Sequence, residues 1–172
     1  PIVIHSQSHV VPLYREFGFE PVGPEYPEAG IPHTRMRRPG EIRVSAVVLT
    51  DTAGRVLMVR KRGTDSFLNP GGKPEPGETP EMCAVRELRE ELGLELDPEG
   101  LLSLGKFRAP AANEADTVVL ADVFRVPEPL DRLPEPRSEI EEARFVDPVS
   151  PEPGWAPLFT ERILPLLNHP AG

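Results

Sequence analysis

An α/β (α+β) sandwich, with a mixed sheet held between helices, is predicted by three features of this sequence. Short β-branched apolar runs recur through its middle, one strong helix signal interrupts them, and a second apolar helical stretch lies near the end. Residues 42–50 (IRVSAVVLT) and 55–61 (RVLMVRK) are the first two runs. Asp51-Thr52-Ala53-Gly54 separates them with turn chemistry at both ends, so the pair reads as a hairpin. Residues 80–92 then read as a helix, capped by Thr79, started by Pro80 and ended by Gly93. Residues 101–108, 117–126 and the shorter 143–146 repeat the strand pattern. Leu158, Phe159, Ile163 and Leu164 mark the closing helix, which Pro165 is expected to end or kink.

Composition narrows the partners. The 172 residues carry 28 acidic and 19 Lys or Arg side chains, for a formal charge of −9. Polyphosphate backbones are held by clustered cations, so a nucleic-acid polymer is not the expected partner. A single cysteine, Cys83, leaves no internal disulfide framework and too little sulfur for a thiolate zinc site. No apolar stretch approaches the roughly 20 residues needed to span a bilayer, and no signal segment leads the chain. It therefore reads as soluble and cytoplasmic, with Pro1 in place of methionine suggesting a cut end. Of the 23 prolines, seven fall in residues 1–40, six in 41–126 and ten in the last 46, so the middle is the expected compact core.

Chemistry concentrates on the central helix and the loop before it. At about 100° per residue, Val85, Leu88 and Leu92 share one apolar stripe, while Glu87, Glu90 and Glu91 share another face at i, i+3 and i+4. Like charges at that spacing destabilise a helix, so something should offset them. A solvated face relieved by Arg86 and Arg89 is one account. A hard divalent cation is the other, because Mg2+ takes carboxylate oxygens and keeps waters for substrate phosphates. The preceding segment, from Asn69-Pro70-Gly71-Gly72-Lys73 to Gly77-Glu78, joins three glycines to a helix amino terminus, a combination that favours anions.

These residues resemble the signature of the Nudix hydrolases (MutT-like). The family pattern is Gly, five residues, Glu, seven residues, then Arg-Glu-apolar-any-Glu-Glu-any-Gly-apolar. Here Gly72 and Glu78 are followed by Arg86-Glu87-Leu88-Arg89-Glu90-Glu91-Leu92-Gly93-Leu94, with both gaps of the required length. The resemblance implies an α/β/α sandwich over residues 40–172. It also implies hydrolysis of a nucleoside di- or triphosphate derivative, with Mg2+ (or Mn2+) as cofactor and a small nucleotide as substrate. It implies metal ligation by Glu87, Glu90 and Glu91, joined by the Gly71 carbonyl, with Gly72, Glu78 and Arg86 as supports. The proton acceptor is Glu91 or an acid from a later loop, for which Glu142 or Glu139 is the expected source. Bound cations would let a negative protein attract a polyphosphate of its own sign.

Lys73, Arg60, Lys61 and Arg62 are the candidate phosphate contacts. The Asn69-to-Lys73 loop resembles the branch that clears nucleoside triphosphates, which is placed first. Pro110, 16 residues past Leu94, resembles the marker of ADP-ribose pyrophosphatases, so ADP-ribose or nucleotide-sugar cleavage is the alternative. A nucleotide-sensing module without turnover is the rival of another class; the intact set of glutamates disfavours it. A homo-oligomer is compatible with all of these.

Residues 1–39 resemble something else. Tyr14-Arg15-Glu16-Phe17-Gly18-Phe19 and Gly30-Ile31-Pro32-His33 are similar to the carboxyl-terminal end of a GNAT acetyltransferase, without that family's acetyl-CoA loop. So short a segment cannot bury enough surface to fold alone, and it is expected to pack as an accessory on the main domain.

Overall fold

The computed structural model describes residues 1–168. Its strands keep both faces covered over the central part of the chain, as the apolar runs demand. The strands are β1 (Ile2–Gln7), β2 (Glu20–Pro21), β3 (Tyr26–Glu28), β4 (Ile31–Arg38), β5 (Gly40–Val48), β6 (Val56–Lys61), β7 (Phe67–Leu68), β8 (Gly71–Gly72), β9 (Leu102–Pro110), β10 (Thr117–Arg125) and β11 (Ile140–Val146). The helices are α1 (Val11–Glu16), α2 (Pro80–Leu92) and α3 (Leu164–Asn168), the last preceded directly by a π-helical stretch, Leu158–Ile163. Among the described residues no helix is long and apolar enough to cross a membrane.

Alternation along β5 and β6 builds two cores. Val47, Leu49, Leu57 and Val59 point to one side, where Ala84, Leu88 and Leu92 of α2 pack on them. Ala46, Val48, Val56 and Met58 point to the other, against Trp155, Phe159, Ile163 and Leu164. This period of two puts helices on both faces, which is the mixed α/β sandwich the sequence predicts. Leu88 and Phe159 are fully buried, and truncating either to alanine costs about 2–5 kcal/mol by loss of transfer energy and opening of a cavity.

The hairpin expectation needs correction. The turn forms, with the Asp51 carboxylate accepting from the backbone N–H groups of Ala53 and Arg55, and Leu57 N–H donating to Leu49 O. Beyond it the strands part. β5 runs parallel to β10 and pairs with β8 on its other edge, in a sheet ordered β8-β5-β10-β9. β6 instead lies between β11 and β7. Two strands buried on both faces gain more from separate partners than from a shared two-stranded ribbon.

The closing helix also differs in detail. Pro165 neither ends it nor follows it; the helix runs on to Asn168. Leu164 N–H donates to Phe159 O, five residues back, so a wider turn precedes the proline. Such a turn accommodates a ring that cannot donate and crowds the preceding carbonyls. All four apolar residues of the expected helix are buried.

Residues 1–39 fold into α1 and a sheet in which β4 pairs with β1, β2 and β3. Val11, Phe19 and Met36 form its small core, with Ile4 and Tyr14 against them. β4 leads into β5 across Pro39, and Arg37 forms an ion pair with Asp116 beside the hydrogen bond from Gly40 N–H to Asp116 O.

Candidate active site

Helix α2 is shaped by local chemistry. Thr79 Oγ1 accepts from Met82 N–H at 3.2 Å, and Gly93, with φ of 67°, closes the far end by donating to Arg89 and Leu88 carbonyls. Its buried stripe is Ala84, Leu88 and Leu92; Val85, expected there, is half-buried. Residues at i, i+4 and i+8 drift by only about 40° per step, and Val85 lies about 20° beyond Leu92, at the edge of that arc and about 100° from Ala84.

The three glutamates do not share one solvent face. Glu91 is 1% exposed, beside Leu88 and Leu92, while the Glu90 side chain is 48% exposed and Glu87 lies between the two extremes. Arg86 relieves their repulsion. Its Nη1 donates to Glu87 Oε1 at 2.8 Å and to Glu90 Oε2 at 3.3 Å, and its Nη2 reaches Lys73 O at 3.1 Å. Nε and Nη2 hold Glu78 at 2.8 and 2.9 Å, tying the loop to the helix. The Arg86 guanidinium holds the Glu78 carboxyl at about 2, and Glu78 in turn raises the arginine above its ordinary value.

Glu91 is the opposite case. Gly71 N–H donates to its Oε2 at 3.0 Å, but Oε1 is buried with no hydrogen-bond partner among the described residues, and Lys61 Nζ stands 3.4 Å from it as an ion-pair partner. Burial pushes this carboxyl up to about 7, against the pull of Lys61 and the Gly71 amide. A half-satisfied buried carboxylate costs folding energy and is suited to a cationic partner.

Glycine is required at two adjacent positions. Gly71 has φ of 143°, and a Cβ there would meet Ser45 O at 2.0 Å. At Gly72 a Cβ would lie 2.2 Å from Glu87 Oε1, so the missing side chain is the room the carboxylate occupies. β5 holds this pair in register, Ser45 opposite Gly72 and Ala46 opposite Gly71, and Ser45 Oγ donates to Pro80 O at 2.8 Å at the start of α2.

A cavity of about 450 Å³ opens beside these residues. Gly71, Gly72, Lys73, Arg86 and Glu87 line its polar end, with Lys61 and Glu139. Ile42, Val44, Val119 and Leu158 line it elsewhere. Pro110 and Asn113 are also at its wall.

Three expected contacts lie elsewhere. Arg60 pairs with Glu141 at 2.7 Å and with Glu142 at 3.1 Å, and neither Arg60, Arg62 nor Glu142 lines the cavity. Glu141 and Glu142, expected in a loop, already belong to strand, while Glu139 stays in the turn before it: β11 sets Glu142 opposite Arg60 of β6, and cross-strand pairing satisfies both. Lys61, one residue on, points the other way and meets Glu139 and Glu91. That alternation was available from the strand period. Asn69 was not: it is 8% exposed at the cavity wall, and among the described residues neither amide heteroatom has a hydrogen-bond partner.

Among the described residues no three His, Cys, Asp or Glu side chains form a ready metal cage. The donor set still fits Mg2+, which commonly takes one or two carboxylates and completes its shell with waters and substrate phosphates. The orphaned Glu91 oxygen, Glu87 one turn earlier and the cradle at Gly72 are the features that fit.

Fold and site together define a glycine-strand and acidic-helix sandwich, and its family is clear. The NUDIX domain profile matches residues 40–167, and the chain belongs to that family. The profile of the acetyltransferase (GNAT) domain matches residues 1–39. An RNA pyrophosphohydrolase of Pseudomonas putida is 44% identical over 57 residues, which are 33% of this chain and 36% of that protein. The match thus spans about a third of the curated relative's length. The solution structure of the E. coli ORF135 protein is similar with a TM-score of 0.51 and 23% identity, covering 76% of this chain and 88% of that one. A bifunctional NMN adenylyltransferase/ADP ribose pyrophosphatase of Francisella tularensis, solved with AMP and a Mn ion, has a TM-score of 0.53 and 17% identity over 76% of this chain and 42% of that one. At these identities the two structures support the fold.

Proposed function

We propose that this protein is a metal-dependent pyrophosphohydrolase that cleaves the phosphoanhydride of a small nucleotide, with nucleoside triphosphates as the first substrate class. The observation that carries the reading is the fit of Glu87 into the space left by Gly72, which joins the loop and helix halves of the signature at the cavity. A cytoplasmic setting, consistent with the lone buried thiol of Cys83, goes with it.

In this reading Glu87, Glu90 and Glu91 hold the divalent ion, with the Gly71 carbonyl as a further donor. When bound, the ion neutralises phosphate charge and polarises the phosphoryl oxygens. Lys73, exposed at the cavity wall, binds phosphate, and Lys61, half-buried at the same wall, adds positive charge. Arg86 orients Glu87 and Glu90 through charge-assisted hydrogen bonds, while Glu78 keeps Arg86 fixed. Glu91, held by the N–H of the lining residue Gly71, or Glu139, which itself lines the cavity, accepts the proton from the attacking water; Glu139 takes the place of Glu142, which pairs with Arg60 outside that lining.

The presence of Pro110 and Asn113 at the cavity wall favours ADP-ribose as the second reading. A panel with Mg2+ separates the two, using nucleoside triphosphates, ADP-ribose, nucleotide sugars and an RNA carrying a 5′-triphosphate. Pyrophosphate plus a monophosphate from free triphosphates supports the first reading. AMP plus ribose 5-phosphate from ADP-ribose supports the second. Preference for the RNA would overturn the small-nucleotide assignment, and turnover of none would leave a binding module.

A further inference from the structure

We infer that Asn69 is a specificity-determining residue that hydrogen-bonds the polar edge of the substrate's nucleobase. The inference rests on the nucleotide reading of the cavity and adds to it the residue that recognises the base.

Asn69 follows β7 and lies two residues ahead of Gly71, at the wall of the cavity. It is more than nine-tenths buried, yet among the described residues neither Oδ1 nor Nδ2 has a hydrogen-bond partner. Buried amides are almost always paired within the protein, and one left with donor and acceptor both free at a cavity is prepared for a ligand. The phosphate end has its own groups in Gly71, Gly72 and Lys73, so Asn69 is available for the rest of the molecule.

The chemistry of the amide selects the partner. It offers a donor and an acceptor side by side, the complement of a nucleobase edge that presents an acceptor beside a donor. Because neither atom is engaged by the protein, a half-turn of the amide exchanges them without loss, and either order of base groups is met. A sugar hydroxyl or a phosphate uses only one half of such a pair. A flat face of a base also has an apolar wall to lie on: Ile42 and Val119 are cross-strand neighbours in the β5–β10 register, and Val44 and Leu158 line the same cavity.

The test measures how much the base adds to binding. Calorimetry with AMP, CMP, GMP and UMP, each against ribose 5-phosphate, gives a ratio of dissociation constants for the full chain. At least one nucleotide is expected to bind 10-fold or more tightly than ribose 5-phosphate, and Asn69→Leu is expected to bring that ratio to within about 2-fold. Since the leucine removes an unpaired buried amide, the unliganded variant should melt no lower than wild type. Independently of any substitution, the Asn69 side-chain NH2 resonance of the wild-type protein should shift with the preferred nucleotide and stay in place with ribose 5-phosphate. A ratio unchanged in Asn69→Leu, a ratio near one for every base in wild type, or an unmoved amide resonance would overturn the assignment. Hydrolysis of the triphosphates is read separately: its failure with the binding ratio intact would strike the catalytic reading and spare Asn69.

Discussion

Arg86 grips Glu78 with two parallel hydrogen bonds, Nε to Oε1 at 2.8 Å and Nη2 to Oε2 at 2.9 Å, and this fork is what fastens the glycine loop to α2. A lysine cannot reproduce the fork or reach Glu87 and the Lys73 carbonyl at once. Arg86→Lys should therefore lower unfolding stability by about 1–3 kcal/mol in denaturant titrations. Glu78, held at about 2 against an ordinary 4.5, adds stability that is fully present above pH 4.5 and is lost as pH falls towards 2. In Arg86→Lys that acid limb should shrink.

Glu91 gives the reverse sign. Its folded carboxyl lies at about 7 against an ordinary 4.5, so the folded state holds a proton that the unfolded state has released. The contribution is greatest below pH 4.5, declines between 4.5 and 7, and is flat above, with a limiting slope of about 1.4 kcal/mol per pH unit. Chelator-treated wild type should lose more stability between pH 5 and 8 than Glu91→Gln does. Equal losses would mean that Glu91 is ionised throughout.

The two glycines should fail differently. A Cβ at Gly72 meets only the end of a flexible side chain, Glu87, which can swing away. Gly72→Ala is therefore expected to change stability by less than about 1 kcal/mol while reducing kcat/KM at least about 10-fold. At Gly71 the same Cβ strikes the backbone carbonyl of Ser45 in a left-handed conformation, so Gly71→Ala should cost more than about 2 kcal/mol. Paired melts and rate assays distinguish the cases.

Met36 is fully buried between Val11 and Phe19 in the small amino-terminal core. Met36→Ala should destabilise residues 1–39 by about 2–4 kcal/mol. Hydrogen exchange should then quicken in β1 and β4 and stay slow in β5 and β10, if the segment is an accessory to residues 40–172 and not part of their core.

What the sequence made legible was what neighbours along the chain decide. The caps and ends of α2, its spacing from the glycine loop, and the two-sided burial of β5 and β6 all follow from local pattern. What it hid depends on register between distant strands. Glu142 and Arg60 are 82 residues apart and meet only because β11 lies antiparallel to β6. The parting of β5 from β6 required knowing that β10 would pair in parallel. Asn69 looked like one more polar loop residue until its burial was visible.

Of Glu87, Glu90 and Glu91, Glu90 is the one whose replacement disturbs the fold least, because its side chain is half exposed and its one side-chain hydrogen bond among the described residues, from Arg86, is long at 3.3 Å. The rate of nucleoside triphosphate hydrolysis by Glu90→Gln in Mg2+ is thus the most direct measurement. The account predicts a loss of about 100-fold or more in kcat with an unchanged melting temperature. Turnover at the wild-type rate would contradict it.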